Sequence, residues 1–284
     1  MIIVNLMGGL GNQLFQYAAA RALSNHHRTS LTYIFSDGYR LAKRSIQIDN
    51  FKIEATLLER GDVQDYLPKR KLSRVLYKLL GKNYEGRIYR EKVDYDFDPD
   101  FFNLPDKCYL YGFWQSYSYF AGIENNIRQE IVIKDPSANY LRAEECIRKL
   151  PNPVSVHVRR GDYLHPKSGF SPVSEQYYRA GNRYILDQFG EYTPVIFTDD
   201  TAWVENNMVY MKGAIFASEF HLEDFEDLML MSKCNHHIIA NSSFSWWGAW
   251  LNVNPDKCVV APSDWHSMHS DNSKLIPPSW IQIS

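Results

Sequence analysis

The chain has 284 residues, enough for one large domain or two of ordinary size, and its 45% hydrophobic and 23% charged residues are those of a globular protein. A formal net charge of -2 gives no general affinity for nucleic acid, and no apolar run reaches membrane-spanning length. Cys108, Cys146, Cys234 and Cys258 form no CxxC pair, which argues against zinc and a disulfide framework and suits a reducing cytosol.

In chain order, "MIIVNL" reads as a first strand. It is too short for the apolar region of a signal peptide and lacks a basic segment before it. A glycine turn, "MGGLG", leads into "NQLFQYAAARALSNHH", whose alanines and leucines favour helix. Gly9 and Gly11 fit the first two positions of GxGxxG, and Asp37 stands where a ribose-binding acid would. The third position is the bulky Leu14, which weighs against a NAD-type Rossmann oxidoreductase. In the other reading, Gly11 lets backbone approach a ligand and Asn12 offers its amide beside a helix N-terminus.

"LTYIF" is a second strand, residues 36 to 107 are irregular, and "CYLYGFW" and the helix-like "FAGIENNIRQEI" follow. "DYDFDPD" fails as a calcium loop, because Pro99 replaces the turning glycine and Pro105 the bidentate glutamate. Residues 69 to 92 hold nine basic residues against Glu85 and Glu91. Leu72, Val75, Leu76, Leu79 and Leu80 recur there at helical spacing, so the segment suits either an ordinary solvated face or contact with an anionic membrane.

A regular alternation begins after "RKLPNP", which places a hinge at residues 148 to 153 and two domains at 1–150 and 151–284. Strands "PVSVHV", "TPVIFT", "HHIIA" and "KCVVA" alternate with helices "SEQYYRAGNRYILDQF", "LEDFEDLMLMSKC" and "SFSWWGAWLN". The fold class expected is α/β with two Rossmann-like domains facing a central cleft.

The chemistry gathers in three stretches. In "HVRRGDY", His157 and Arg159 share one strand parity, Arg160 faces the other way, and Asp162 braces an arginine, Arg160 being the expected partner. The arginine fork matches phosphate oxygens, although an Arg–Asp pair can also simply hold a loop. "NSSFSWWGAWL" offers Ser242, Ser243 and Ser245 at a helix start that favours an anion, with ordinary capping as the plainer reading. Trp246, Trp247 and Trp250 are expected in the core. "FTDD" supplies Asp199 and Asp200, suited to a metal, a guanine edge, a ribose, or a helix cap.

Together, "GGLGNQLFQYAAARAL", "YGFWQSYSYF", "HVRRGDY", "FTDD" and "NSSFSWWGAWL" resemble the bacterial alpha-1,2-fucosyltransferases of glycosyltransferase family eleven, over residues 1 to about 262. The arginine and serine motifs are more distantly similar to those of protein O-fucosyltransferases and alpha-1,6-fucosyltransferases. The resemblance implies a GT-B-type fold and inverting transfer of L-fucose from GDP-fucose to a 2-hydroxyl, usually of a galactose-containing glycan, with no required metal or other cofactor. A nucleotide-sugar-binding module without catalysis is the alternative.

By the same resemblance, Arg159 grips the donor β-phosphate, His157 lies near the nucleotide, and Gly11 and Asn12 close over diphosphate and fucose. Ser245, after Phe244, matches the helix-start hydroxyl on the phosphate, and one of Asp199 and Asp200 reads guanine. The glutamate that alpha-1,6 relatives carry after the shared aspartate does not transfer, since Lys167 falls there. Asp162 and His165 are the candidate bases. Acceptor choice is expected from the irregular N-terminal region and from aromatics such as Trp114 and Tyr117. The basic segment suits a lipid-linked acceptor and a cytoplasmic, peripheral location.

Overall fold

A computed structural model describes residues 1–35, 45–58, 88–92, 94–165, 169–265 and 274–284. Asp37, Lys167 and the basic segment up to residue 87 lie outside the described residues. Two compact units divide the chain, Met1–Val132 and Ile133–Ser284.

The first unit is built on a five-stranded sheet of order β3-β2-β1-β5-β4, with every pair parallel. Its strands are β1 (Ile2–Leu6), β2 (Leu31–Phe35), β3 (Thr56–Leu57), β4 (Ile88–Arg90) and β5 (Cys108–Tyr111). β1 is buried along its whole length, as a central parallel strand covered on both faces must be. Helix α1 (Leu10–His26) is buried over most of its surface, which its run of small residues, Ala18, Ala19 and Ala20, permits. The short helix α2 (Glu124–Glu130) closes the unit.

The second unit opens with α3 (Ala138–Lys149), followed by β6 (Pro153–Val158), α4 (Glu175–Phe189), β7 (Thr193–Thr198) and α5 (Thr201–Asn207). After these come β8 (Ile215–Phe216), α6 (Asp224–Met231), β9 (His236–Ile238), α7 (Ser243–Leu251), β10 (Val259–Pro262) and β11 (Ile281–Ile283). The parallel strands run in the order β11-β10-β9-β6-β7-β8, the doubly wound arrangement of a Rossmann domain. Val154, Val156 and Val158 lie in one core with Tyr177, Tyr178, Ile196 and Ile238, so the opposite parity of β6, Ser155 and His157, takes the other face.

The boundary differs from the one expected at 150/151. Helix α3 belongs to the second unit: Ser137 N–H donates to Glu226 Oε1 at 2.8 Å, and Lys233 pairs with Glu144 at 3.2 Å. The "RKLPNP" stretch leads into β6 within the second unit, where Pro151 O accepts from Thr193 N–H at 3.2 Å.

Trp246, Trp247 and Trp250 are core residues, as expected, with at most 4% of their surface exposed. Gly248 between them lets α7 lie close to α6. A Cβ there would stand 2.8 Å from Met231 Cβ, a side-chain root that cannot swing away. Gly248→Ala is expected to lose about 1–3 kcal/mol of stability, read as a lower urea midpoint. An unchanged midpoint would show that the two helices separate freely.

Candidate active site

In a doubly wound sheet, ligands bind beyond the carboxyl ends of the strands, where neighbouring strands send their connections opposite ways. Here that point lies between β6 and β9. Beyond β6 comes "RRGDY"; beyond β9 comes "ANSSF", which starts α7. Two tyrosines of α4 hold the strand ends. Tyr178 O–H donates to His157 O at 3.0 Å, and Tyr177 O–H donates to Ile239 O at 2.7 Å and Val260 O at 3.0 Å.

The register of β7 on β6 sets the charges. Val158 stands opposite Thr198, so the next residues, Arg159 and Asp199, are neighbours. Arg159 Nη1 meets Asp199 Oδ2 at 2.8 Å, and Nη2 meets Asp162 Oδ1 at 2.8 Å. This corrects the expected Arg160–Asp162 pair, because the turn at Asp162–Leu164 carries the Asp162 carboxylate back over Arg159. Arg160 does point elsewhere. Its Nε meets Asp200 Oδ2 at 3.1 Å, and its guanidinium lies 4.3 Å from the centre of the Trp203 ring. Its backbone N–H donates to Asp199 Oδ1 at 2.8 Å. Gly161 allows the turn to pass close to Asp199, since a Cβ there would come within 2.9 Å of Oδ2.

The two aspartates therefore divide their work. Asp200 caps α5, accepting from Trp203 N–H at 3.0 Å, and anchors Arg160; Asp199 holds both arginines. Arg159 keeps three of its five N–H donors beyond these two contacts, and a quarter of its side chain is exposed.

Across the gap, Ser242 caps α7, but its hydroxyl accepts from Phe244 N–H only at a long 3.4 Å. The first turn of a helix has N–H groups without intrahelical acceptors, and its dipole favours an anion. Ser245 is buried rather than presented, and its hydroxyl donates back to Ser242 O at 3.3 Å. Ser243 and Phe244 are the partly exposed residues of that turn. His157 packs its ring 5.7 Å from that of Phe244, and its Nδ1 is buried with no protein partner. Asn241 Oδ1 is likewise buried and unpaired, while its amide donates to Ser171 O and Trp265 O. Two buried, unsatisfied polar atoms beside an arginine and a helix start mark a place built to receive polar groups.

In the first unit the glycine turn works differently from the GxG pattern. Gly8, not Gly9 or Gly11, takes the left-handed backbone, with φ +79, while Gly9 precedes the helix and Gly11 is buried within it. Gln13 and Gln16 fasten the turn, Gln13 through Gly8 O, Ser45 O and Gln47 N–H, Gln16 through Met7. Asn12 Oδ1 accepts from Gln115 Nε2 at 2.6 Å, tying the helix start to the loop beyond β5. Glu91 holds that loop, accepting from Phe113 N–H at 2.6 Å and Trp114 N–H at 2.9 Å. Burial pushes its carboxyl up to about 7 although both bonds oppose the shift. Trp114 is fully buried against Tyr89, Phe101 and Tyr119, so it does not offer a face for a sugar; Tyr117 remains partly exposed.

The "Glycosyl transferase family 11" profile matches residues 1–284. The chain belongs to glycosyltransferase family 11. It is 32% identical to an alpha-1,2-colitosyltransferase of Escherichia coli over 100% of this chain and 99% of that one. It is 30% identical to the O-antigen biosynthesis glycosyltransferase WbnK of Escherichia coli, over 98% and 99%. A galactoside alpha-(1,2)-fucosyltransferase 2 of Hylobates lar shares 26% identity over 88% of this chain and 69% of its own length. Among solved structures, POFUT1 in complex with GDP superimposes with a TM-score of 0.52 at 13% identity, covering 91% of this chain and 97% of that one. Fucosyltransferase NodZ from Bradyrhizobium gives 0.51 at 13%, covering 87% and 90%. These likenesses show a GT-B-like fold. This family 11 member is a glycosyltransferase, which sets aside the oxidoreductase and non-catalytic readings.

Burial first, and Arg159 second, push the His157 imidazole down to about 3, with Asp199 opposing. The unfolded chain takes up a proton as pH falls through the ordinary value of about 6.5, and the folded site does not follow until about 3. Stability present above that window is lost across it. His157→Gln is expected to lose less denaturant resistance than the wild type between roughly pH 6 and pH 4. A wild-type slope would mean that the ring is solvated.

Proposed function

We propose that this enzyme transfers L-fucose from GDP-β-L-fucose to the 2-hydroxyl of a galactose-containing glycan, with inversion and without a metal. The observation that carries the reading is Arg159, braced by Asp199 and Asp162 at the switch point beside the start of α7. A nucleoside diphosphate leaving group needs charge stabilisation where its bond breaks, and a preorganised fork facing a helix start supplies it. The alpha-1,2 linkage and the galactoside acceptor are those in the names of the similar enzymes.

As the anomeric C–O bond breaks, the departing β-phosphate gains charge that Arg159 and the first-turn N–H groups stabilise. The fucosyl group passes through an oxocarbenium-like state, and the acceptor oxygen closes on the opposite face. In the first unit, Gly11 is buried within α1, so of the glycine-turn pair only the partly exposed Asn12 amide is left as a candidate for the sugar donor. His157, buried and neutral, offers its unpaired Nδ1 to the nucleotide rather than acid catalysis. Asp199 and Asp200, already engaged with arginines, act on guanine or ribose through whichever lone pairs remain, Asp199 being the less committed to secondary structure.

Colitose is L-fucose without its 3-hydroxyl, and the colitosyltransferase relative favours a second reading with GDP-colitose as donor. A site that hydrogen-bonds a sugar hydroxyl rejects an analogue lacking it by orders of magnitude, whereas an apolar wall discriminates weakly. With a panel of β-galactosides, acceptor-dependent GDP release from GDP-fucose at least about ten-fold faster than from GDP-colitose is expected. The reverse order assigns colitose, and release from neither donor ends both readings.

Arg159→Lys keeps the charge but loses the fork, and is expected to lower kcat by roughly 10²–10³ in a folded protein. Near-wild-type turnover would remove the assigned role. Activity is expected to persist in EDTA, and a loss restored by a divalent cation would overturn metal independence. Because Asp162 already holds Arg159, Asp162→Asn is expected to lower the rate without removing the acidic limb of the pH–rate profile. Disappearance of that limb would make Asp162 the base, and its disappearance in His165→Ala would assign His165. A cytoplasmic location, with residues 69 to 92 touching an anionic membrane that carries a lipid-linked acceptor, is tested by flotation with anionic vesicles. Salt-sensitive co-flotation would support membrane contact, and none, the outcome expected of an ordinary basic face, leaves the segment as a solvated face. Among the described residues, no helix is long and apolar enough to cross a membrane.

A further inference from the structure

Tyr163 belongs to none of the groups assigned above, yet it touches both halves of the site. It lies in the turn Asp162–Leu164, directly after the arginines. Its O–H donates to Asn241 O at 3.0 Å, the residue before the Ser242 cap, and also bonds the Ser242 hydroxyl. The guanidinium carbon of Arg159 stands 5.9 Å from its ring centre, within cation–π reach. Phe170 stacks nearly parallel on the ring at 5.0 Å between centroids, and Ser171 next to it accepts from the Asn241 amide. The phenol is thus fixed at its ring and its hydroxyl.

The loops beyond β6 and β9 diverge, so the sheet alone does not fix the distance between the Arg159 fork and the N–H groups of α7. Among the described residues, the Tyr163–Asn241 bond ties the arginine turn to the segment leading into that helix. We propose that Tyr163 is a positioning residue that sets the spacing between Arg159 and the α7 start, and so the affinity of the site for a diphosphate. Burial pushes the phenol up to about 12, which keeps it a donor throughout the working pH range.

This inference rests on the proposed function, and the test separates the two. Tyr163→Phe keeps the ring beneath Arg159 and the stack on Phe170 and removes only the O–H. GDP and guanosine are titrated calorimetrically into wild type and variant, with folding checked by circular dichroism. The expected result is a Kd for GDP about ten-fold weaker in Tyr163→Phe, with guanosine changed by less than about two-fold. A merely structural bond would lower the unfolding midpoint and leave both constants unchanged, or weaken both alike, and either result overturns the proposal. If Tyr163→Phe does not fold, Phe170→Leu is titrated in the same way; selective weakening for GDP supports the proposal and its absence overturns it. A wild-type protein that binds neither ligand removes the functional reading itself, whereas binding insensitive to both variants removes only the role of Tyr163.

Discussion

The parallel pairing of β6 with β7 on one side and β9 on the other is the constraint from which the site follows. It binds Val154, Ser155 and Val156 to His236, His237 and Ile238, and lets the two connections leave in opposite directions. The sheet thus opens at a defined place, where the buried carbonyls near the strand ends must be satisfied. Tyr177 and Tyr178 supply the donors from beneath, at Ile239, Val260 and His157. Ser155 Oγ and His237 Nδ1 share a bond at 2.7 Å, and Asn252 reaches the other ring nitrogen at 2.8 Å, so the pair is locked on the opposite face too. A rigid floor of this kind holds charged groups near an opening without leaving them to wander.

Two arginines and three carboxylates stand above that floor. The carboxylates outnumber the cations, which weakens the general attraction for anions but fixes each guanidinium in direction. That suits a diphosphate held by geometry better than one gathered by net charge, and it explains why arginine stands at position 159 where lysine would supply the same charge. Arg160 has a different task. Held over the Trp203 ring and pinned to the cap of α5, it ties the end of β6 to the end of β7. The first unit uses the same economy of means, with Glu91 holding the Trp114 loop and Gln115 passing that order to Asn12.

Much of this was legible in the sequence, for identifiable reasons. β-Branched runs ending in polar residues marked β1, β6 and β7, and the serines before the tryptophan helix marked α7, because caps and strand patterns are local chemistry. Partnerships between loops were not local. That Arg159 rather than Arg160 takes Asp162 depends on the turn geometry and on the one-residue register of β7 against β6. Strands β3 and β8, of two residues each, are too short to show a period. The allegiance of α3 to the second unit is written in single contacts such as Ser137–Glu226, which no spacing reveals. Trp114, expected to help choose the acceptor, is instead buried against Tyr89, Phe101 and Tyr119, contacts between separate segments that no spacing reveals.

The central claim is that the leaving group's diphosphate is held between the arginine turn and the start of α7. A crystal structure of the protein with GDP tests it most directly. The account predicts β-phosphate oxygens within hydrogen-bonding distance of the Arg159 guanidinium and of backbone N–H groups among residues 243 to 245, with Arg160 still on Asp200. GDP bound with its phosphates away from Arg159, or with the α7 start untouched, would contradict it.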